Sequence, residues 1–120
     1  MSVLVKDVMS TQLIWVKPEM TALTVSQLMA KRDIGSVLVR SNEQFVGIIT
    51  EQDIIRKVVA AGQSAERVTA ESLMSYPIAT VEQDIPLDDA RQKMHEEGIR
   101  HLLVTAKETP VGMISIRTWP

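Results

Sequence analysis

Residues 5–53 and 70–118 are two copies of one sequence, related without a gap by an offset of 65 positions, as from Met9 to Met74. Val8-Met9-Ser10 answers to Leu73-Met74-Ser75, and Val16, Met29 and Ile34 answer to Val81, Met94 and Ile99. Leu38-Val39 maps onto Leu103-Val104, and Val46-Gly47-Ile48-Ile49 onto Val111-Gly112-Met113-Ile114. A match that holds register this far marks a duplication, so the chain must build one structural unit twice.

Each copy reads in the same order. A short strand near residues 13–16 (78–81 in the second copy) precedes a helix. Ala22, Val25, Leu28 and Met29 recur at helical spacing in one copy. Leu87, Ala90 and Met94 do so in the other, with Pro86 in the first turn and Gly98 just past the end. Two apolar runs joined by a polar turn then predict a hairpin, residues 36–49 in the first copy and 101–114 in the second. A second helix over residues 50–61, stopped by Gly62, closes copy one. After Ile114 too few residues remain for its counterpart, and residues 3–9 are available to fill part of that space. The expected fold class is α+β, with two β-α-β-β-α repeats and the last helix of the second missing. The boundaries are 1–62 for repeat 1, 63–69 for a polar linker and 70–120 for an incomplete repeat 2.

One copy has a size at which burial is marginal without help. Val37-Leu38-Val39 and Leu102-Leu103-Val104 are continuously apolar, the pattern of a strand covered on both faces. The expectation is therefore one compact module, its repeats packed sheet to sheet with pseudo-two-fold symmetry and a cleft beside each hairpin end. With 3% aromatic residues the core is aliphatic, and Met9, Met20, Met29, Met74 and Met94 are read as core fillers.

Composition narrows the function. The 120 residues carry 13 Lys+Arg and 15 Asp+Glu, a formal net charge of −2, which disfavours a phosphate backbone as main partner. A hydrophobic fraction of 45% excludes a disordered chain. Having no cysteine, the chain has neither a disulfide framework nor a thiol nucleophile. No apolar run is long enough to span a membrane, and the N-terminus lacks signal-peptide character, so a soluble, cytoplasmic protein is expected.

The most distinctive stretch is Gly47-Ile48-Ile49-Thr50-Glu51-Gln52-Asp53, running from strand to helix. It admits two readings. In one, Thr50 and Asp53 form a capping box. In the other, a hydroxyl and a carboxylate one turn apart hold a vicinal diol such as a ribose, with Gly47 leaving room for close approach.

The duplication, the Met-Ser ahead of each first strand and the Gly-Ile-Ile-Thr-x-x-Asp junction together resemble a tandem pair of CBS (cystathionine-β-synthase-type) domains. The resemblance spans residues 5–118, and residues 54–62 resemble small stand-alone members. It implies a regulatory module binding an adenosine-containing ligand (AMP, ADP, ATP, NAD or S-adenosylmethionine) between the repeats. It also implies a homodimer of such pairs. Thr50 and Asp53 match the ribose-contacting positions. Thr11, Leu13 and Ile14 match the stretch framing the adenine, and Ile48 is placed with them. In the second copy Ser115 replaces the threonine and Thr118 the carboxylate, which predicts one competent site and a weaker second one.

Arg100 and His101, where the sister copy has Gly35 and Ser36, are either phosphate contacts or a solvated arginine beside a hydrogen-bonded edge histidine. Arg56 and Lys57 are weaker phosphate candidates. Lys31-Arg32-Asp33 reads as a solvated helix end. His95-Glu96-Glu97 lacks a second histidine at i+4 and reads as an exposed helical face rather than a metal site. No catalytic motif is present, so the expectation is a sensor without chemistry, whose effector lies outside the chain. The rivals are a ligand-free dimerisation or scaffold protein, an enzyme acting on nucleotides, and a nucleic-acid binder.

Overall fold

A computed structural model describes residues 3–118. The elements are α1 (Val5–Val8), β1 (Trp15–Val16), α2 (Ala22–Arg32), β2 (Ser36–Ser41), β3 (Gln44–Thr50), α3 (Glu51–Ile54), α4 (Ala70–Leu73), β4 (Thr80–Glu82), α5 (Leu87–Glu97), β5 (His101–Ala106) and β6 (Thr109–Ser115). They form two three-stranded sheets of order β1-β2-β3 and β4-β5-β6. In each, the first strand runs parallel to the second, and the second and third form an antiparallel hairpin. The fold is α+β.

The duplication is visible in the backbone. α2 starts at Thr21, whose side-chain oxygen accepts from the Thr24 N–H at 3.2 Å, and buries Ala22, Val25 and Met29. α5 carries Asp88 and Asp89 in its first turn, where the helix dipole favours acids, and buries Leu87, Ala90 and Met94. Asp33 and Gly98, 65 positions apart, both end their helix in the left-handed region, at φ 53° and 65°. The hairpins turn on Asn42-Glu43 and Lys107-Glu108, all four at positive φ. That is the geometry whose twist matches the flanking strands, adopted here without glycine.

The packing units are offset from the sequence repeats. One unit is Ile14–Ile78; the other joins the described residues up to Leu13 to those from Ala79 onward. The boundaries 1–62, 63–69 and 70–120 describe the duplication, and their residues 1, 2, 119 and 120 lie outside the described residues. The offset arises because the start of each repeat is built into the unit of the other. Val5 N–H donates to the Ile85 carbonyl and Lys6 N–H to Gln83, while Leu87 N–H donates to Val3. Sixty-five positions on, Ala70 donates to Met20, Glu71 to Pro18, and Ala22 to Val68. α1 thus serves the second sheet, its Val5 at 0% exposure inside that core, as the counterpart of α4 rather than as a substitute for the helix that follows β3. α4 serves the first, burying Ala70 and Leu73. Burying a valine or leucine side chain contributes about 1.5–3 kcal/mol, which is how a four-residue helix with little intrinsic stability persists.

The structure adds detail at one expected segment and corrects the expectation at another. Residues 63–69, read as a polar linker, also bond to α2. The Ala65 and Val68 carbonyls accept from Leu23 and Ala22 N–H, supplying partners to the otherwise orphaned first turn of α2. The helix expected over residues 50–61 is α-helical only through α3, then widens to a π-helical turn over Ile55–Val59, where Ala60 N–H reaches the Ile55 carbonyl at 2.8 Å. It ends at Gly62 with φ 68°, as expected.

The central strands are buried throughout, Val37, Leu38 and Val39 at no more than 2% exposure and Leu102, Leu103 and Val104 at no more than 4%. Met29 and Met94 lie in the two cores, and Met9, Met20 and Met74 pack against them. No helix among the described residues is long and apolar enough to cross a membrane.

α1 is also tied by Lys6, whose ammonium lies 2.9 Å from Asp84. The hydrogen bond and charge of Asp84 hold the Lys6 pKa above its ordinary value. The stabilisation is therefore complete below the unfolded lysine pKa and is lost as pH rises through the folded one. Thermal melts of wild type and Lys6→Met are expected to differ slightly at neutral pH and to converge above about pH 10.4. A gap that widens with rising pH would contradict this.

Candidate functional site

β3 delivers the chain into α3 at Thr50, an extended residue (φ −115°, ψ 166°) at the N-cap. Its hydroxyl oxygen accepts from the Asp53 N–H at 3.2 Å, and Asp53 Oδ2 accepts from the Thr50 N–H at 3.0 Å. The capping box read from the spacing is therefore formed, and the Thr50 hydroxyl adds a third bond by donating to the same Oδ2 at 3.1 Å.

The other carboxylate oxygen is held from farther away. Ser75 Oγ donates to Asp53 Oδ1 at 2.8 Å, and the Lys57 ammonium lies 3.1 Å from it. Lys57 Nζ also donates to the Leu73 carbonyl at 3.0 Å and to Ser75 Oγ at 3.3 Å. Ser75 is brought here by a reciprocal bridge to β3: Ile48 N–H donates to Ser75 at 3.0 Å, and Ser75 N–H to Ile48 at 2.8 Å. Gly47 lets this happen, because a Cβ there would stand 2.9 Å from Met74 Cβ. Asp53, at 8% exposure, is the buried charged residue of the described chain, and its lone pairs are fully used. A ribose diol could reach this carboxylate only by taking the place of a present partner.

Position 65 residues on builds a neutral version. Ser115 N–H donates to Thr118 Oγ1 at 2.9 Å, and the two hydroxyls lie 3.2 Å apart. Ser10 bridges Met113 just as Ser75 bridges Ile48, and Met9 lies across Gly112. A hydroxyl replaces the carboxylate, so this cradle has no charged acceptor for a diol.

The expected site residues fall in two groups. Ile48, Thr50 and Asp53 share the first unit with Ile14, whose carbonyl accepts from Leu38, the strand partner of Ile48. Arg100, His101, Ser115 and Thr118 gather at one end of the β5–β6 hairpin: His101 pairs with Ser115, and the Arg100 carbonyl accepts from Ile116. Thr11 and Leu13 lie in the segment after the Ser10 bridge, within the second unit. His95, Glu96 and Glu97 are exposed, and no cluster of three metal-ligating side chains occurs among the described residues. Sequence reasoning missed Ser75; the signal was its Met-Ser motif, repeated at the offset that also repeats the glycine beneath it. Lys57 was considered for phosphate and is found on Asp53 instead.

A doubled β-α-β-β unit with exchanged leading helices and a Thr-Asp junction at the end of its third strand defines a paired-repeat module. The chain belongs to the CBS domain family, which matches residues 5–60 and 70–118. Pairs of CBS domains are regulatory, ligand-binding modules. The chain is 35% identical over 118 residues to a protein of Methanopyrus kandleri, covering 97% of this chain but spanning 60% of that protein. A conserved protein of Pyrococcus horikoshii has a similar structure, with a TM-score of 0.90 at 31% identity over 97% of this chain and 88% of that one. The hexameric CBS-CP12 protein from bloom-forming cyanobacteria shares the fold, with a TM-score of 0.88 at 22% identity over 97% of this chain and 69% of its own. CBS proteins thus also occur as oligomers.

Proposed function

We propose that this chain is a cytoplasmic regulatory module that binds an adenosine-containing ligand, AMP, ADP, ATP or NAD, and performs no chemistry on it. The observation carrying this reading is Asp53, the one buried carboxylate among the described residues, at the Thr50 junction of a CBS pair, where the corresponding position of the other repeat is neutral Thr118. Asp53 and Thr50 take the ribose hydroxyls. Ile48 and Ile14 frame the base. Binding favours one packing of a homodimer, which an effector protein reads. Self-association is supported by Ile55 and Val59, four positions apart at 58% and 71% exposure.

A second reading has its own support. An Asp53 already satisfied by four partners suits a structural cap, and with it a dimerisation or scaffold protein that binds nothing. Thermal melts with AMP, ATP and NAD separate the two. A ligand present at a hundred times its Kd is expected to add about 2.7 kcal/mol of stability. An unchanged melt with every adenosine compound would overturn the sensor reading in favour of the scaffold.

A further inference from the structure

The two oxygens of Asp53 are not equivalent. Oδ2 bonds only within its own helix start, to the N–H and hydroxyl of Thr50, and giving up that N–H would open the reciprocal half of the capping box. Oδ1 is held by groups from outside the cap, the Ser75 hydroxyl and the Lys57 ammonium. Lys57 does more than neutralise the carboxylate. By donating also to the Leu73 carbonyl and Ser75 Oγ it ties the segment that follows α4 to the cap. That segment is also fastened here by the bridge between Ser75 and Ile48 and by the packing of Met74. The lysine side chain is 43% exposed, so water can take over its bonds when it leaves.

We propose that Lys57 is a positioning residue that clamps Ser75 onto Asp53 Oδ1, and that a vicinal diol binds by displacing this clamp. The proposal rests on the reading that Asp53 takes a ribose, and adds how the site is kept closed without one. Each diol hydroxyl donates to a carboxylate oxygen as Ser75 does now, so ligand and clamp compete for the same lone pairs. Emptying the site and fastening the segment after α4 are then one event. Ligand occupancy is reported by the freedom of residues on either side of Ser75. The second repeat has no equivalent at Thr118, which offers no carboxylate to clamp.

Adenosine, which carries the diol without a phosphate, isolates this competition from any charge attraction. Lys57→Met is expected to bind adenosine three- to tenfold more tightly than wild type, the worth of one net hydrogen bond. Lys57→Arg, which keeps the charge and the donors, is expected to return toward wild-type affinity. Without ligand, hydrogen exchange at the Ile48 and Ser75 amides should accelerate in Lys57→Met and not in Lys57→Arg. Weaker or unchanged adenosine binding in Lys57→Met would overturn the competition, and unchanged exchange would overturn the clamp. Faster exchange with no adenosine binding in any variant would leave the clamp standing and overturn the ribose reading together with the competition.

Discussion

Asp53→Ala is expected to destabilise the chain by about 2–3 kcal/mol and to abolish its response to AMP. Two effects add. The helix start loses its reciprocal cap, typically about 1 kcal/mol. The Ser75 hydroxyl also loses its acceptor, a carboxylate only 8% exposed, and an unsatisfied group there costs about 1–3 kcal/mol, while the exposed Lys57 ammonium turns to water. For a chain of this size the melting temperature should fall by on the order of 10 °C. Asp53→Asn keeps the shape and one acceptor oxygen, so it should lose less stability. It turns an N–H donor toward groups that themselves donate, so AMP binding should still weaken tenfold or more. An Asp53→Asn protein that melts lower yet keeps wild-type AMP affinity would make this residue a cap and nothing else.

The second large effect concerns the two glycines on which the exchanged segments lie. A Cβ at Gly112 would stand 2.7 Å from Met9 Sδ and 2.7 Å from the Ser10 carbonyl oxygen. That carbonyl accepts from Met113 N–H at 2.8 Å, so it cannot retreat without breaking the bridge. Gly112→Ala should therefore cost about 2–3 kcal/mol, the upper range for overpacking. Gly47→Ala meets side-chain atoms only, with Met74 Cγ at 2.7 Å and Cβ at 2.9 Å. The two sites should part in double variants. Met74→Ala removes the outer atoms and should recover about 1 kcal/mol of the Gly47→Ala loss relative to additivity. Met9→Ala should recover much less of the Gly112→Ala loss, because the backbone oxygen remains. Equal recovery at both sites would show that the backbone contact is unimportant.

The duplication, the hairpins and the aliphatic cores were legible because each is written in residue type at a fixed spacing. Val25 and Met29, or Leu38 beside Val39, have their roles from periodicity and apolarity alone. The exchange of α1 and α4 was not legible. Four residues carry no period, and nothing local in Val5–Val8 says that its N–H groups will reach Gln83 and Ile85 rather than residues nearby. The turns were placed, but their left-handed pairs Asn42-Glu43 and Lys107-Glu108 lack the glycine that usually announces them. At the site, Thr50 and Asp53 were visible because they sit one turn apart. Ser75 was hidden because its approach to Asp53 spans 22 positions and depends on a bridge to Ile48. Lys57 was read as a weaker phosphate candidate one turn beyond Asp53, and the same i,i+4 spacing instead brings its ammonium onto that carboxylate.

Titration calorimetry with AMP and with its 2′,3′-dideoxy analogue bears most directly on the central claim, since the two ligands differ only in the hydroxyls that Asp53 would accept from. AMP is expected to bind, and the dideoxy compound to bind at least tenfold more weakly, a loss of about 1.4 kcal/mol or more. Equal affinity for both would contradict the account, because the ribose would then not be held by this carboxylate.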